Sequence, residues 1–301
     1  TSGRKYLDAS AGLACVNIGH GRREVADAAT SQYRKVEYWP NWTGQTTRPV
    51  IDLAKRIAGL APGDLNRVFF TGSGSESVEA AWKMARQYHL LRGNHGKYKV
   101  VARNNSYHGT TLGALAVTGI QGLRSDFAPL LPTTVHAPAV KAFGSGRSPQ
   151  EHSIFCASEI RRLILEEGPE TVAAVFLEPV QNSGGSIVSE PIYFEMVREI
   201  CDEYDVLLIS DETIAAWGRI GEVFGSQAMG YVPDIITTAK GLTSAYFPMG
   251  AVIAADRIAE PFRSANAGFA HGYTFGGHPV AAAAAHANLD ILLGEDLCGK
   301  S

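Results

Sequence analysis

Cysteine is scarce in this chain: four in 301 residues, Cys15, Cys156, Cys201 and Cys298, with no two at CxxC spacing. Scattered thiols of this kind read as free cysteines of a reducing compartment rather than as a disulfide framework. The nine histidines are dispersed, none at the spacing of a zinc motif, so no metal site is expected. Long apolar runs are missing as well. None approaches the ~20 residues that cross a bilayer, and Thr1-Ser2-Gly3-Arg4-Lys5 leads into no signal-peptide core. A cytoplasmic chain with no membrane partner is expected. An excess of basic charge is also lacking: 27 Lys and Arg against 30 Asp and Glu give a formal net charge of -3, which offers nothing to nucleic acid. There is no tandem repeat, no low-complexity tract and no Gly-x-x-x-x-Gly-Lys-Ser/Thr phosphate loop.

What is present is core-forming material: 45% hydrophobic and 19% charged residues, enough for one large domain or two ordinary ones. Two short apolar runs frame the most informative stretch. Val206-Leu207-Leu208-Ile209 ends in Ser210-Asp211-Glu212, and Ile235-Ile236 leads through Thr237-Thr238-Ala239 to Lys240-Gly241. Short apolar runs bounded by polar residues read as buried parallel strands. Their carboxyl ends are where open α/β sheets bind ligands. An acid and a lysine brought to one sheet edge suit pyridoxal 5'-phosphate (PLP), whose aldehyde takes a lysine and whose ring nitrogen takes an acid.

The rest of the chain alternates in the same way. Two short extended pieces are expected at 5–8 and 12–16, helices at 23–35, 49–60, 78–91, 158–167, 192–204 and 280–293, and strands at 67–70, 98–102, 172–177 and 251–254. A surface excursion is expected over 136–151, and residues 294–301 are expected to lack a partner element. Strand-helix alternation of this kind predicts an α/β fold with a mostly parallel sheet and helices on both faces. Thr71 to Ser77, small residues between a strand end and a helix start, can bind an anion or simply cap the helix. The aromatic stretch around Trp42 can wall a pocket or pin a loop to the core. Tyr107 lies in a loop after a strand, and Glu178 closes another strand.

Asp211-Glu212 through Lys240-Gly241-Leu242, with Ser73-Gly74-Ser75, Tyr107-His108-Gly109 and Thr274 in order around it, resembles the class III, fold type I, PLP-dependent aminotransferases. The likeness runs from Tyr6-Leu7-Asp8 through His278-Pro279 and is nearest to the ω-amino acid or amine:pyruvate branch. The resemblance implies a homodimer with shared active sites, with amine and keto acid substrates. It implies that Lys240 forms the Schiff base with PLP and then moves the proton, and that Asp211 pairs with the ring nitrogen. Ser73, Gly74 and Ser75 would hold the phosphate, and Thr274 would reach a phosphate across the dimer interface. Tyr107 would stack on the ring, Thr213 would lie under its other face, and His108 and Glu178 would lie near the cofactor.

Relatives of this branch usually carry valine at the position of Thr213, and many carry tryptophan at that of Ala14, where the small residue would enlarge the substrate pocket. They are also longer. The expected organisation is therefore an N-terminal segment (1–46) contributing to a small domain and pocket wall, a PLP-binding large domain (47–293), and the start (294–301) of a connection to a C-terminal small domain that is missing. Decarboxylase, racemase or aminomutase chemistry on the same fold, or a truncated non-catalytic PLP-binding protein, are the alternatives.

Overall fold

Seven short segments rich in apolar residues become strands of one sheet in the computed structural model, which describes residues 3–42 and 44–301. They are β1 (Leu65–Thr71), β2 (Lys99–Arg103), β3 (Thr134–Ala137), β4 (Val172–Leu177), β5 (Leu207–Asp211), β6 (Ile235–Thr238) and β7 (Gly250–Ala255), in the order β1-β7-β6-β5-β4-β2-β3. The pairings of β2 through β6 are parallel, and β7 runs antiparallel to both its neighbours. A reversed β7 between β6 and β1 leaves β1 running with the others. The carboxyl ends of β1, β2, β4, β5 and β6 therefore open on one edge of the sheet.

Alternation along each strand assigns the two faces. Val100, Ala102, Ala174, Phe176, Leu207 and Ile209 join the larger core cluster. That cluster is covered by the helices Arg48–Leu60, Gly74–Leu91, Asp256–Ser264 and Pro279–Gly294. Val101, Val175, Leu177 and Leu208 face the second cluster, beneath Pro149–Glu167 and Pro191–Glu203. Every residue of β4 and β5 is buried. At about 1.5–3 kcal/mol for each large apolar side chain removed from water, this two-sided burial is what fixes the central strands.

Several boundaries differ from expectation. Residues 5–8 form no strand, and Ala11–Ala14 is an irregular turn with positive φ at Ala11, Gly12 and Ala14. The helix expected from Val78 begins at Gly74, because Ser73 Oγ accepts the Glu76 N–H (3.3 Å) and so caps it. The excursion expected over 136–151 instead holds the end of β3. It also holds the start of Pro149–Glu167, whose capping box joins Ser148 and Glu151. The helices Leu112–Val117 and Asp256–Ser264 were not expected. Residues 294–301 are not without partners: Arg22 pairs with Glu295 (2.7 Å), and Leu297 and Cys298 pack on the core. At the sheet's opposite edge, Lys97 Nζ donates to the carbonyls of Pro169 (2.9 Å), Val172 (3.2 Å), Tyr204 (2.9 Å) and Asp205 (2.9 Å). It thereby ties the approaches to β4 and β5. No described helix is long and apolar enough to cross a membrane.

Candidate active site

β1 delivers the turn that opens the site. After Thr71 the chain enters the 18-residue helix Gly74–Leu91, and some of the donors around its first turn are already engaged. Gly72 N–H donates to Glu76 Oε2 (2.6 Å), Glu76 N–H to Ser73 Oγ, and Ser77 N–H to Ser73 O (3.0 Å). The Gly74 and Ser75 N–H groups stand at the positive end of the helix with no acceptor among the described residues. They are free for an anion. Glycine is required at 74, since a Cβ there would lie 2.8 Å from Thr213 Cγ2.

β5 delivers the acid. Asp211 is buried, yet its carboxylate is richly supplied with donors. Oδ1 accepts Thr213 N–H (3.1 Å), Thr213 Oγ1 (2.7 Å) and Thr237 Oγ1 (3.0 Å), and Oδ2 accepts His108 Nδ1 (2.8 Å). Burial works to raise the Asp211 pKa. The hydrogen bonds and charge of His108, with the Thr213 bonds, outweigh it and hold the group below the ordinary aspartate value. His108 is itself buried, with its ring edge-on to Phe176 and Nε2 unpartnered among the described residues.

β6 delivers the amine. Lys240 sits at φ +41°, a conformation that costs a residue with a Cβ and persists only where its surroundings enforce it. The enforcement is visible. Asn288 Nδ2 holds the Gly241 (2.9 Å) and Leu242 (3.0 Å) carbonyls, and Trp217 Nε1 donates to Thr238 Oγ1 (2.7 Å). A Cβ at Gly241 would collide with Asn17 and Trp217. Burial lowers the Lys240 pKa, against the opposing charge of Asp211.

β4 and β2 supply the remaining wall. Buried Glu178 accepts the Tyr107 N–H (3.2 Å) on Oε1 and the Asn182 N–H (3.3 Å) on Oε2, and burial pushes its pKa up to about 7. One cleft is lined by Ser73, Gly74, Ser75, Tyr107, His108, Glu178, Asp211, Thr213 and Lys240 together, with Leu13, Gly109, Asn182 and Ile214 added to the expected set. Leu13 had no local signal in the sequence, being an exposed apolar residue in a turn.

Three expected residues lie outside that lining. Ala14 is half-buried, and its neighbours Leu13 and Cys15 border the lysine instead. Trp42 is 46% exposed and lies against Gly272, where a Cβ would strike its ring. Thr274 is exposed on the same 271–278 loop, its carbonyl accepting Tyr38 Oη (2.9 Å). The aromatic segment thus braces that loop.

The donor set suits a flat anionic cofactor with a basic nitrogen and an electrophilic carbon. It has open amides for an anion, an ionised acid shielded from water, and an amine whose pKa burial lowers. PLP fits these residues. No group of three or more candidate metal ligands occurs among the described residues.

Comparison with known proteins agrees with this arrangement. The class III aminotransferase family model matches residues 1–301. The chain is 55% identical over 300 residues to a probable aminotransferase of Mycobacterium tuberculosis, covering 98% of this chain and 64% of that protein. It is 43% identical over 302 residues to the putrescine–pyruvate aminotransferase of Pseudomonas aeruginosa, covering 100% and 66% respectively. The structure of an (S)-enantioselective ω-transaminase from Thermomicrobium roseum superposes with a TM-score of 0.95 at 44% identity, over 98% of this chain and 66% of that one. The chain thus spans slightly under two thirds of the length of these relatives. A match extending from the first residue to the last, at identities this high, leaves one conclusion: the chain belongs to the class III aminotransferases.

Proposed function

We propose that this chain carries the cofactor-binding part of a PLP-dependent aminotransferase. It would move an amino group from an amine or ω-amino acid to a keto acid, with pyruvate as the acceptor. The observation that carries the reading is the meeting of Asp211, ionised though buried, with the Lys240 amine in one cleft closed by a helix amino terminus. The putrescine–pyruvate relative supports the choice of amine donor and acceptor.

PLP, when bound, supplies an electron sink and an aldehyde that a lysine can hold. Ser73, Gly74 and Ser75 would take its phosphate through the open amides and side-chain hydroxyls. Asp211 would keep the ring nitrogen protonated, its charge secured by His108 and Thr213. Lys240, its pKa lowered by burial, can accept a proton at Nζ and return it. Tyr107 would cover one face of the ring, and Glu178 would hold the Tyr107 loop through the main chain. Two open amides are few donors for a phosphate, which supports a homodimer in which Thr274 of one chain completes the other's site. The four unpaired thiols support a cytoplasmic setting.

Borohydride reduction in the presence of PLP, followed by peptide mapping, is expected to label Lys240 alone. Transfer of nitrogen from putrescine to added pyruvate, measured as alanine, tests the reaction. A preparation that folds but stays unlabelled at Lys240 removes the cofactor reading; labelling without alanine formation removes the choice of substrates.

A further inference from the structure

Resting on that reading, we propose that Thr213 is a positioning residue that sets how tightly Asp211 holds the ring nitrogen of PLP while bracing the anion-binding turn. Two contacts of one side chain carry the inference. The Thr213 hydroxyl lies 2.7 Å from Asp211 Oδ1, the shortest of three hydrogen bonds to that oxygen. Its methyl group lies against Gly74 so closely that a Cβ there would be 2.8 Å away. A β-branched side chain is stiff at χ1, so hydroxyl and methyl move as one unit. Thr213 therefore links the two parts of the site that would hold opposite ends of the cofactor.

The hydroxyl's effect has a definite sign. A carboxylate oxygen offers two lone pairs, and Oδ1 already accepts three donors. Each donor spreads the negative charge and reduces the carboxylate's pull on any further proton. Thr213 thus weakens the grip of Asp211 on the ring nitrogen rather than strengthening it. The other groups that face Asp211 are charged or titratable: His108 after β2, Glu178 at the end of β4 and Lys240 after β6. Thr237 is neutral but sits within β6. Thr213 is thus the neutral donor that can be changed without altering the charge of the site or a strand.

Two variants separate the contacts. Thr213→Val keeps the methyl and removes the donor; Thr213→Ser keeps the donor and removes the methyl. The chain is loaded with PLP carrying 15N in the ring, and the nitrogen shift is followed against pH beside equilibrium dialysis of PLP. In Thr213→Val the ring nitrogen is expected to stay protonated to a pH about one unit higher, with PLP held several-fold more tightly. In Thr213→Ser the nitrogen is expected to titrate with the wild type while PLP is held up to roughly tenfold more weakly. Nitrogen titrations that shift alike in both variants, or in neither, overturn the assignment. Should Thr213→Val fail to fold, Thr213→Ala, which also lacks the hydroxyl, takes its place, and an unshifted nitrogen titration there overturns the assignment. A wild-type chain that takes up no PLP overturns the reading of the site and this assignment together, whereas wild-type binding with an unshifted Thr213→Val overturns the assignment only.

Discussion

Asp211 shows how much of this site rests on single side chains. Burial alone would favour its neutral form, which cannot keep a ring nitrogen protonated. The bond from His108 reverses that preference, with Thr213. Replacing His108 by Phe keeps an aromatic ring against Phe176 and removes the donor to Oδ2. At pH 7 the ionised Asp211 then lacks a charge-assisted hydrogen bond, and the chain should lose about 1–3 kcal/mol in urea unfolding. The sign with pH follows from the depressed pKa. Asp211 contributes stability that is present above the ordinary aspartate range and is lost as pH falls through its lower native value. With His108 gone that native value rises, so the deficit should shrink as the medium is acidified and Asp211 takes up its proton in the variant before it does in the parent chain. An equal deficit at pH 7 and pH 4.5 would show that the bond does not govern the charge. The sequence shows Asp211 as the last residue of an apolar run. It does not show the partner, because His108 lies 103 positions away and only the parallel order of β2, β4 and β5 brings the loops together.

At the scale of elements, the central strands could be read because both their faces are buried and their sequence is nearly continuous Val, Ile, Leu, Ala and Phe. Helix starts could not be read as well. Small residues such as Gly74 and Ser75 look like a turn, although with Ser73 as cap they are the first helical turn. Ser148-Pro149-Gln150-Glu151 carried a capping signal, but the glycines just before it masked the start of its helix. Lys97 falls outside any pattern: a lone lysine after a glycine that turns inward to four carbonyls. Three ammonium protons shared among four acceptors hold together the segments entering β4 and β5, at the edge away from the cleft. Lys97→Met would leave those carbonyls without their donor. A loss of about 2–4 kcal/mol in thermal or urea unfolding is expected, with PLP affinity unchanged by dialysis. A Lys97→Met chain that keeps its stability but loses the cofactor would place the staple's influence at the site instead.

Over the whole molecule, stability against pH follows from acids of opposite tendency. Asp211 favours neutral over acid conditions. Glu178 and Glu212 do the reverse, because burial pushes each up to about 7. Glu212 receives bonds from Ser210 Oγ (3.1 Å) and the Ser226 N–H (3.1 Å), which oppose burial without cancelling it. Between the ordinary glutamate value of 4.5 and about 7, the native chain keeps protons that the unfolded chain has released. The stability these two groups contribute is therefore complete below the ordinary glutamate range and is lost as pH rises through about 7. A displacement of that size corresponds to about 3 kcal/mol for each group at most. The cofactor-free chain should accordingly unfold at a lower urea concentration at pH 8 than at pH 5.5. Glu178→Gln and Glu212→Gln remove the titrating groups, so the absolute stability of each variant is not the test. The quantity that discriminates is the slope between pH 5.5 and 8, which the two changes together should flatten. An undiminished slope in the double variant would mean that these carboxyls are ionised in the native state, and that the site carries two more negative charges behind Asp211 than its burial implies.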